Sequence, residues 1–223
     1  MPARDSRYMK KIMTATVGAT AAIVALSGAV VAPAQAATTL PSLKQLKVTG
    51  NWTPAPVELA GNSPEGLSPL CPLGKSCSVQ FWFQPSGQAA SYAEVSAGKA
   101  ASKADALARV KQLQAADTTV SSQQGHFAWT KQKVKAVKGK KPPTVWTGKL
   151  MLSGVPFIQS TVVMSGTRVA AFYTYGLPVA LQSKPKDAVA ALSKLVLSKK
   201  QLPTLTETPR GFVGALNAAI SSN

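Results

Sequence analysis

The sequence predicts an α+β fold: an antiparallel sheet of four to six strands covered by helices. Three observations carry this. Four β-like segments, 120–138, 144–153, 155–165 and 168–176, follow one another, the last three separated only by "SG" and "SGT". Links that short force antiparallel neighbours. One further strand and an Ala-rich helical stretch precede this meander, and an amphipathic stretch, "KPKDAVAALSKLVLSKK", follows it. Strands and helices segregated in this way belong to an α+β domain.

Residues 1–36 read as a secretory signal peptide. Arg4, Arg7, Lys10 and Lys11 precede an uncharged run that ends at Ala34-Gln35-Ala36, which supplies the basic n-region, apolar h-region and A-x-A site of an exported chain. The run from Ile12 to Ala36 is long enough to span a bilayer, so an uncleaved N-terminal membrane anchor is the alternative. Its Ala, Thr, Gly and Val content, with Pro33, favours cleavage after Ala36 and a secreted or cell-wall location. The first cysteine, Cys71, lies far beyond that point, which argues against lipidation.

Residues 37–76 are rich in Pro, Gly, Ser and Asn and form a surface lead-in, with "LKQLKVTGNW" offering a possible edge strand. Residues 77–202 hold the core domain. It opens on "CSVQFWFQP", where Val79, Phe81 and Phe83 share one parity and Gln80 and Trp82 the other, a strand ended by Pro85. From Ala89 to Ala116 the chain is Ala-rich and free of proline, and Leu107, Val110 and Leu113 recur at helical spacing, which predicts a helix. Gly98 interrupts it and Ser102 with Asp105 resembles a capping box, so two helices or one kinked helix are expected there. The meander follows, "VWTGKLML", "VPFIQSTVVM" and "RVAAFYTYG" being rich in branched and aromatic residues. After it Ala188, Leu192, Leu195 and Val196 make one helical stripe, with Lys186 and Lys194 off it. The tail, 203–223, predicts a short helix opened by Thr208-Pro209.

A mature chain from Ala37 has 187 residues, enough for one domain with a real core. The first 36 residues hold four of the 25 basic and one of the eight acidic residues, so the mature chain keeps 21 against seven and a net charge of +14. Such a surplus bears on partners rather than on fold. For an exported protein those are anionic cell-wall polymer, an anionic lipid surface or an envelope protein, with specific nucleic-acid readout disfavoured. Cys71 and Cys77, in "CPLGKSC", predict a small structural disulfide, because an oxidising compartment closes such pairs and no C-x-x-C redox motif is present.

The strand, helix, meander and helix order over 78–200, the "SGVPFIQSTVVMSGTRVAAFYTYG" hairpin and the amphipathic "DAVAALSKLVLS" after it resemble the PsbP-like fold. In particular they resemble the secreted, often lipidated actinobacterial proteins of the LpqN type. The resemblance implies an α/β/α sandwich and a non-enzymatic envelope protein, some of whose relatives act as interaction modules. The absence of a lipobox cysteine departs from the lipidated members.

The inventory for catalysis is nearly bare. His126 is the only histidine, no G-x-S-x-G occurs, and with both cysteines bridged no His/Cys metal set of usual spacing can be assembled, so no metal or cofactor is expected. The seven mature acids, Glu58, Glu65, Glu94, Asp105, Asp117, Asp187 and Glu207, are scattered, and only tertiary approach would pair them. An extracellular enzyme of unrecognised type is therefore the alternative to a binding protein. The S-x-x-K tetrapeptides at Ser96 and Ser183 lack the companion motifs of penicillin-recognising enzymes.

What remains is "HFAWTKQKVKAVKGKKPPTVWT", residues 126–147, with six lysines in eleven positions. Counted by twos, Phe127, Trp129, Lys131, Lys133 and Lys135 lie on one face; Lys138, Lys140 and Lys141 fall in a Gly/Pro-containing turn. One reading makes these eight residues a cationic-aromatic contact for a polyanion, nucleic acid or lipid, with the rings stacking and the lysines following charge. The other puts Phe127 and Trp129 over the core and leaves the lysines solvated, guarding a sheet edge. The whole is expected to be a monomer.

Overall fold

A computed structural model describes residues 40–55, 68–72, 76–86, 89–124, 126–134, 141–152, 155–175 and 185–211. In chain order the elements are α1 (Leu43–Leu46), β1 (Thr53–Ala55), β2 (Ser78–Ser86), β3 (Ala89–Lys99), α2 (Lys103–Gln124), β4 (His126–Gln132), β5 (Thr144–Leu152), β6 (Val155–Ser165), β7 (Arg168–Tyr175) and α3 (Pro185–Val196). The strands form one antiparallel sheet of seven, in the order β1-β2-β3-β7-β6-β5-β4. The α+β class and the antiparallel meander are as expected; the strand count exceeds the four to six predicted.

The extra strand is β3. Residues 89–99, read as the first half of a helix, instead pair with β2 on one side and β7 on the other, Glu94 standing opposite both Phe81 and Tyr173. Alanine favours helices in isolation, but a central strand with both faces covered takes small side chains. Ala93, Val95 and Ala97 are buried on one face, and Tyr92, Glu94 and Ser96 on the other. The helix begins only at Lys103. Ser102 Oγ accepts from the Asp105 N–H at 3.0 Å and Asp105 Oδ2 accepts from the Ala101 N–H at 3.1 Å, the capping pair legible in the sequence.

Helix α2 then runs on to Gln124, through residues expected to open a strand, so β4 covers 126–132 rather than 120–138. Its inner stripe is Ala106, Val110 and Leu113, whereas Leu107 is 36% exposed. Upstream, "LKQL" forms the one-turn helix α1 and the edge strand β1 lies just after it. Strand β2 passes through Pro85 to Ser86. The predicted C-terminal helix is not seen at Thr208–Gly211, which are non-helical; residues 212–223 lie outside the described residues.

Two cores flank the sheet. On one face Ala106, Val110 and Leu113 of α2 pack on Val79, Phe127, Leu150, Ile158 and Val162. On the other, Ala188, Leu192, Leu195 and Val196 of α3, the stripe read from the sequence, pack on Trp82, Val95, Val145, Val163 and Phe172. The C-terminal end of α3 is fixed by Arg168, whose guanidinium donates to the carbonyls of Leu195 and Lys200 at 3.3 and 2.8 Å. Helix α3 therefore lies antiparallel to β7, with its N-terminus over the far end of the sheet.

Cys71 and Cys77 form a disulfide, with Cα atoms 6.1 Å apart. The bridged loop is tied to the C-terminal segment, since Ser76 N–H donates to Glu207 Oε1 at 2.8 Å and Arg210 N–H to the Pro69 carbonyl at 3.0 Å. Arg109 of α2 reaches the Glu207 carbonyl as well. Leu205, 2% exposed, seats over Gly98, where a Cβ would stand 2.4 Å from Leu205 Cδ2. The stretch 203–211, placed by its sequence in a tail, is thus a strap fastened across β3, α2 and the disulfide loop.

Candidate functional site

The β4–β5 hairpin forms one edge of the sheet. Its register runs from His126 opposite Met151 to Gln132 opposite Val145, and β4 pairs with no other strand among the described residues. The two predicted faces of β4 separate as strand parity requires. Phe127 is 2% exposed in the core beneath α2, and Trp129 packs partly buried against it, ring centroids 5.3 Å apart. The close fit depends on Gly148, opposite Trp129, where a Cβ would stand 2.4 Å from Phe127 Cε1. Phe127 is therefore unavailable for stacking on a ligand, a correction to its place among the contact candidates. Lys131, Lys133 and Lys141 are exposed, and Lys135, Lys138 and Lys140 lie outside the described residues.

The opposite face of the hairpin is the open one. Helix α3 covers the middle of that face, and beside it a groove of about 740 Å³ runs along β4 and β5 to the N-terminus of α3. Lys149 and Lys186 line it together with Lys133, which follows the end of β4 at Gln132 and so is not held to the strand's parity; Val134, Val189 and Met151 are its apolar part, and no acidic side chain contributes to the lining among the described residues. Met151 is 37% exposed there.

Sheet register explains why this end of the face is polar. Following the pairings from β4 to β7, one row across the sheet reads Ala128, Lys149, Gln159, Thr174, and the next reads Thr130, Thr147, Thr161, Phe172. A row further on, Val145, Val163 and Ala170 are fully buried beneath the body of α3. Hydrophobic cover thus gives way to hydroxyl, amide and ammonium groups where α3 begins. A pit of about 10 Å³ lies in that polar zone, walled by Thr147, Lys149, Gln159, Thr161 and Thr174 of the sheet and by Pro185 and Ala188 of α3. It shares Thr147, Lys149 and Pro185 with the groove.

No protein-family model, curated protein or solved structure matches this chain.

The remaining sequence candidates fall elsewhere. His126 is the first residue of β4. Ser96 is buried on β3 and Lys99 is exposed three residues on, on the opposite face of the strand, so that S-x-x-K pair cannot converge. Of the acids, Asp105 caps α2 and pairs with Arg109 at 3.0 Å, Asp187 pairs with Lys47 at 3.3 Å, and Glu207 anchors the strap. Asp117 is fully buried on α2. Glu58 and Glu65 lie outside the described residues. Among the described residues no three His, Cys, Asp or Glu side chains stand close enough to hold a metal. Nor is any described helix long and apolar enough to cross a membrane, and residues 1–36, which carry the export and anchor alternatives, lie outside the description.

Burial strongly displaces the equilibrium of Glu94. It is 1% exposed, and burial pushes its pKa up from 4.5 to about 7, with the hydroxyls of Ser68, Ser96 and Tyr173 restraining the rise. Those hydroxyls face the carboxyl, but neither oxygen makes a hydrogen bond of ordinary geometry. A carboxyl poised near neutrality is a feature of active sites. This one lies in the middle of the sheet beneath the α2 layer and lines neither the groove nor the pit.

Sequence reasoning found the hairpin lysines and missed Lys149, Lys186, Gln159 and Thr174. For the three sheet residues, Lys149, Gln159 and Thr174, the signal that would have found them is parity: they share a face with Val145, Val163 and Phe172, where an apolar side chain is the rule.

Proposed function

We propose that the protein is a secreted, non-catalytic module of the cell envelope that holds anionic polymer through the basic edge of its β4–β5 hairpin. The observation that carries this reading is the solvent exposure of Lys131, Lys133 and Lys141 at a sheet edge whose adjoining groove adds Lys149 and Lys186 with no acid in its lining among the described residues. A mature net charge of +14 gives the same sign at long range. The sheet with one long helix on each face supports reading the fold as PsbP-like and the chain as akin to LpqN-type envelope proteins. The partner is wall polyanion in the first place, with anionic lipid headgroups offering the same charge.

Retention of the mature protein on isolated cell walls, titrated with salt, tests this. Six lysines each neutralising one phosphate of a flexible polyanion give a log–log slope of about −4, a loss of roughly 250-fold in affinity from 50 to 200 mM salt. Replacing the six lysines of 131–141 with glutamine is expected to flatten that slope and weaken retention while leaving the melting temperature unchanged. Retention and slope equal to those of the wild type would sink the reading.

A further inference from the structure

Thr174 is 3% exposed and its hydroxyl makes no hydrogen bond, although it stands in the wall of the polar pit. An unpaired hydroxyl in an apolar core is costly, and its ordinary replacement would be valine. Here the hydroxyl faces a space of about 10 Å³, room for one water-sized oxygen and no more. The opposite wall is the first turn of α3, a helix of 12 residues. The first N–H groups of an α-helix have no partner within the helix and carry its positive dipole end, so they favour an anionic oxygen; in α3 Pro185 has no N–H, and those of Lys186 and Asp187 fill that part. Lys149 lines both pit and groove, and Lys133 and Lys186 line the groove beside it. The only acid of the α3 first turn, Asp187, lines neither space and is paired with Lys47. Cations, helix terminus and an unpaired donor thus converge where the sheet row changes from apolar to polar.

We propose that this place is a binding site for a single oxyanion group, a phosphate or a carboxylate, with one anionic oxygen entering the pit towards Thr174 and α3 and the others held by Lys149 and Lys186 in the groove. The site rests on the reading above only in the sign of the partner's charge. It adds a specific, saturable seat to a contact that the hairpin lysines alone would make diffuse. The remainder of the ligand lies along the groove, where Val134, Val189 and Met151 contact its apolar carbons. Both a phosphodiester polymer and a uronate-bearing one present such a group.

The test is an amide chemical-shift titration of the mature protein with glycerol 3-phosphate and, separately, with glucuronate. A saturating response centred on Lys149, Gln159, Lys186 and Ala188 is expected, and whichever ligand gives it identifies the source of the oxyanion. Loss of one charge-assisted hydrogen bond corresponds to about tenfold or more in Kd, so Thr174→Val and the pair Lys149→Gln with Lys186→Gln should each weaken binding at least that much. Thr174→Val keeps the side-chain shape, and the two lysines are exposed, so melting temperatures establish that the variants fold. A non-saturating response to both ligands, or Thr174→Val binding as the wild type does, overturns the proposal. A variant carrying glutamine at Lys131, Lys135, Lys138, Lys140 and Lys141 separates the two ideas: it should keep the saturable site and lose wall retention. Loss of the saturable response in that variant would show that no separate seat exists.

Discussion

Glu94 makes the stability of this fold fall as pH rises through the weakly acidic range. Its carboxyl sits at the centre of the sheet, opposite Phe81 on β2 and Tyr173 on β7, and burial lifts its pKa from 4.5 to about 7. Below pH 4.5 it is protonated whether the chain is folded or not, and it costs the fold no charge burial. Between 4.5 and about 7 the unfolded chain ionises it freely while the folded chain holds the proton, so folding becomes progressively less favourable. Above about 7 both states are ionised and the loss is complete. At 1.36 kcal/mol for each unit, that loss is about 3 kcal/mol. For a chain of this length it corresponds to roughly 6 to 12 °C in Tm. Glu94→Gln keeps the shape and cannot ionise. Melting temperatures of both proteins from pH 4 to 8 should nearly coincide at the acid end and diverge through the window, the variant becoming the more stable. A constant difference across the whole range would refute the reasoning.

Three further perturbations probe the packing. Gly148→Ala drives a methyl group to 2.4 Å from Phe127 Cε1 and 2.7 Å from Ser160 Oγ, and overpacking of that kind costs about 1–3 kcal/mol, read from the urea midpoint. Reducing the Cys71–Cys77 bridge, which spans a sequence separation of 6, should lower the unfolding free energy by only about 2 kcal/mol and leave the far-UV dichroism intact. Leu205→Ala empties the seat over Gly98 and should cost about 2–5 kcal/mol. Trypsin then cuts earlier at Arg210 in the loosened strap; equal cleavage rates in wild type and variant would show that Leu205 does not hold it.

Much of the fold was legible because local pattern and tertiary environment agree. In β6, β7 and α3 the strand and helix periods stand out, the turns are short, and the stripe Ala188, Leu192, Leu195, Val196 is the one buried. Where they disagree, tertiary context won. Ala93 and Ala97 sit in a central strand, Ala93 opposite Trp82 and Ala97 opposite Ala170, an environment that rewards small side chains and that no local propensity encodes. The same competition displaced the boundary at 120–124, where valine and serine suggest a strand but the last turn of α2 claims the chain. The strap was illegible for another reason: its backbone bonds run to Lys99 and Pro69, more than a hundred residues back, and such pairing leaves no periodic trace.

The site divides in the same way. Lysines 131–141 announced themselves by density, and the exposure of Lys131, Lys133 and Lys141 is what density of charge predicts. The polar rows did not, because Lys149, Gln159 and Thr174 are separated in sequence by 10 and 15 residues and become one row only through the registers of β5, β6 and β7. Yet the anomaly was present in each strand as a polar side chain on the parity of the core. A neutral solution to that anomaly exists, namely apolar residues beneath the first turn of α3 as beneath its body. The chain instead places a hydroxyl, an amide and an ammonium there, opposite the helix end that attracts anions, and opens a groove beside them. Lys133 lines that groove and belongs to the basic run as well, so the exposed edge and the polar seat form one continuous surface. Screening should act unevenly along it: the exposed lysines of edge and groove alike lose their pull beyond a Debye length of about 10 Å at 0.1 M salt, whereas a hydrogen bond to the buried Thr174 hydroxyl is shielded far less.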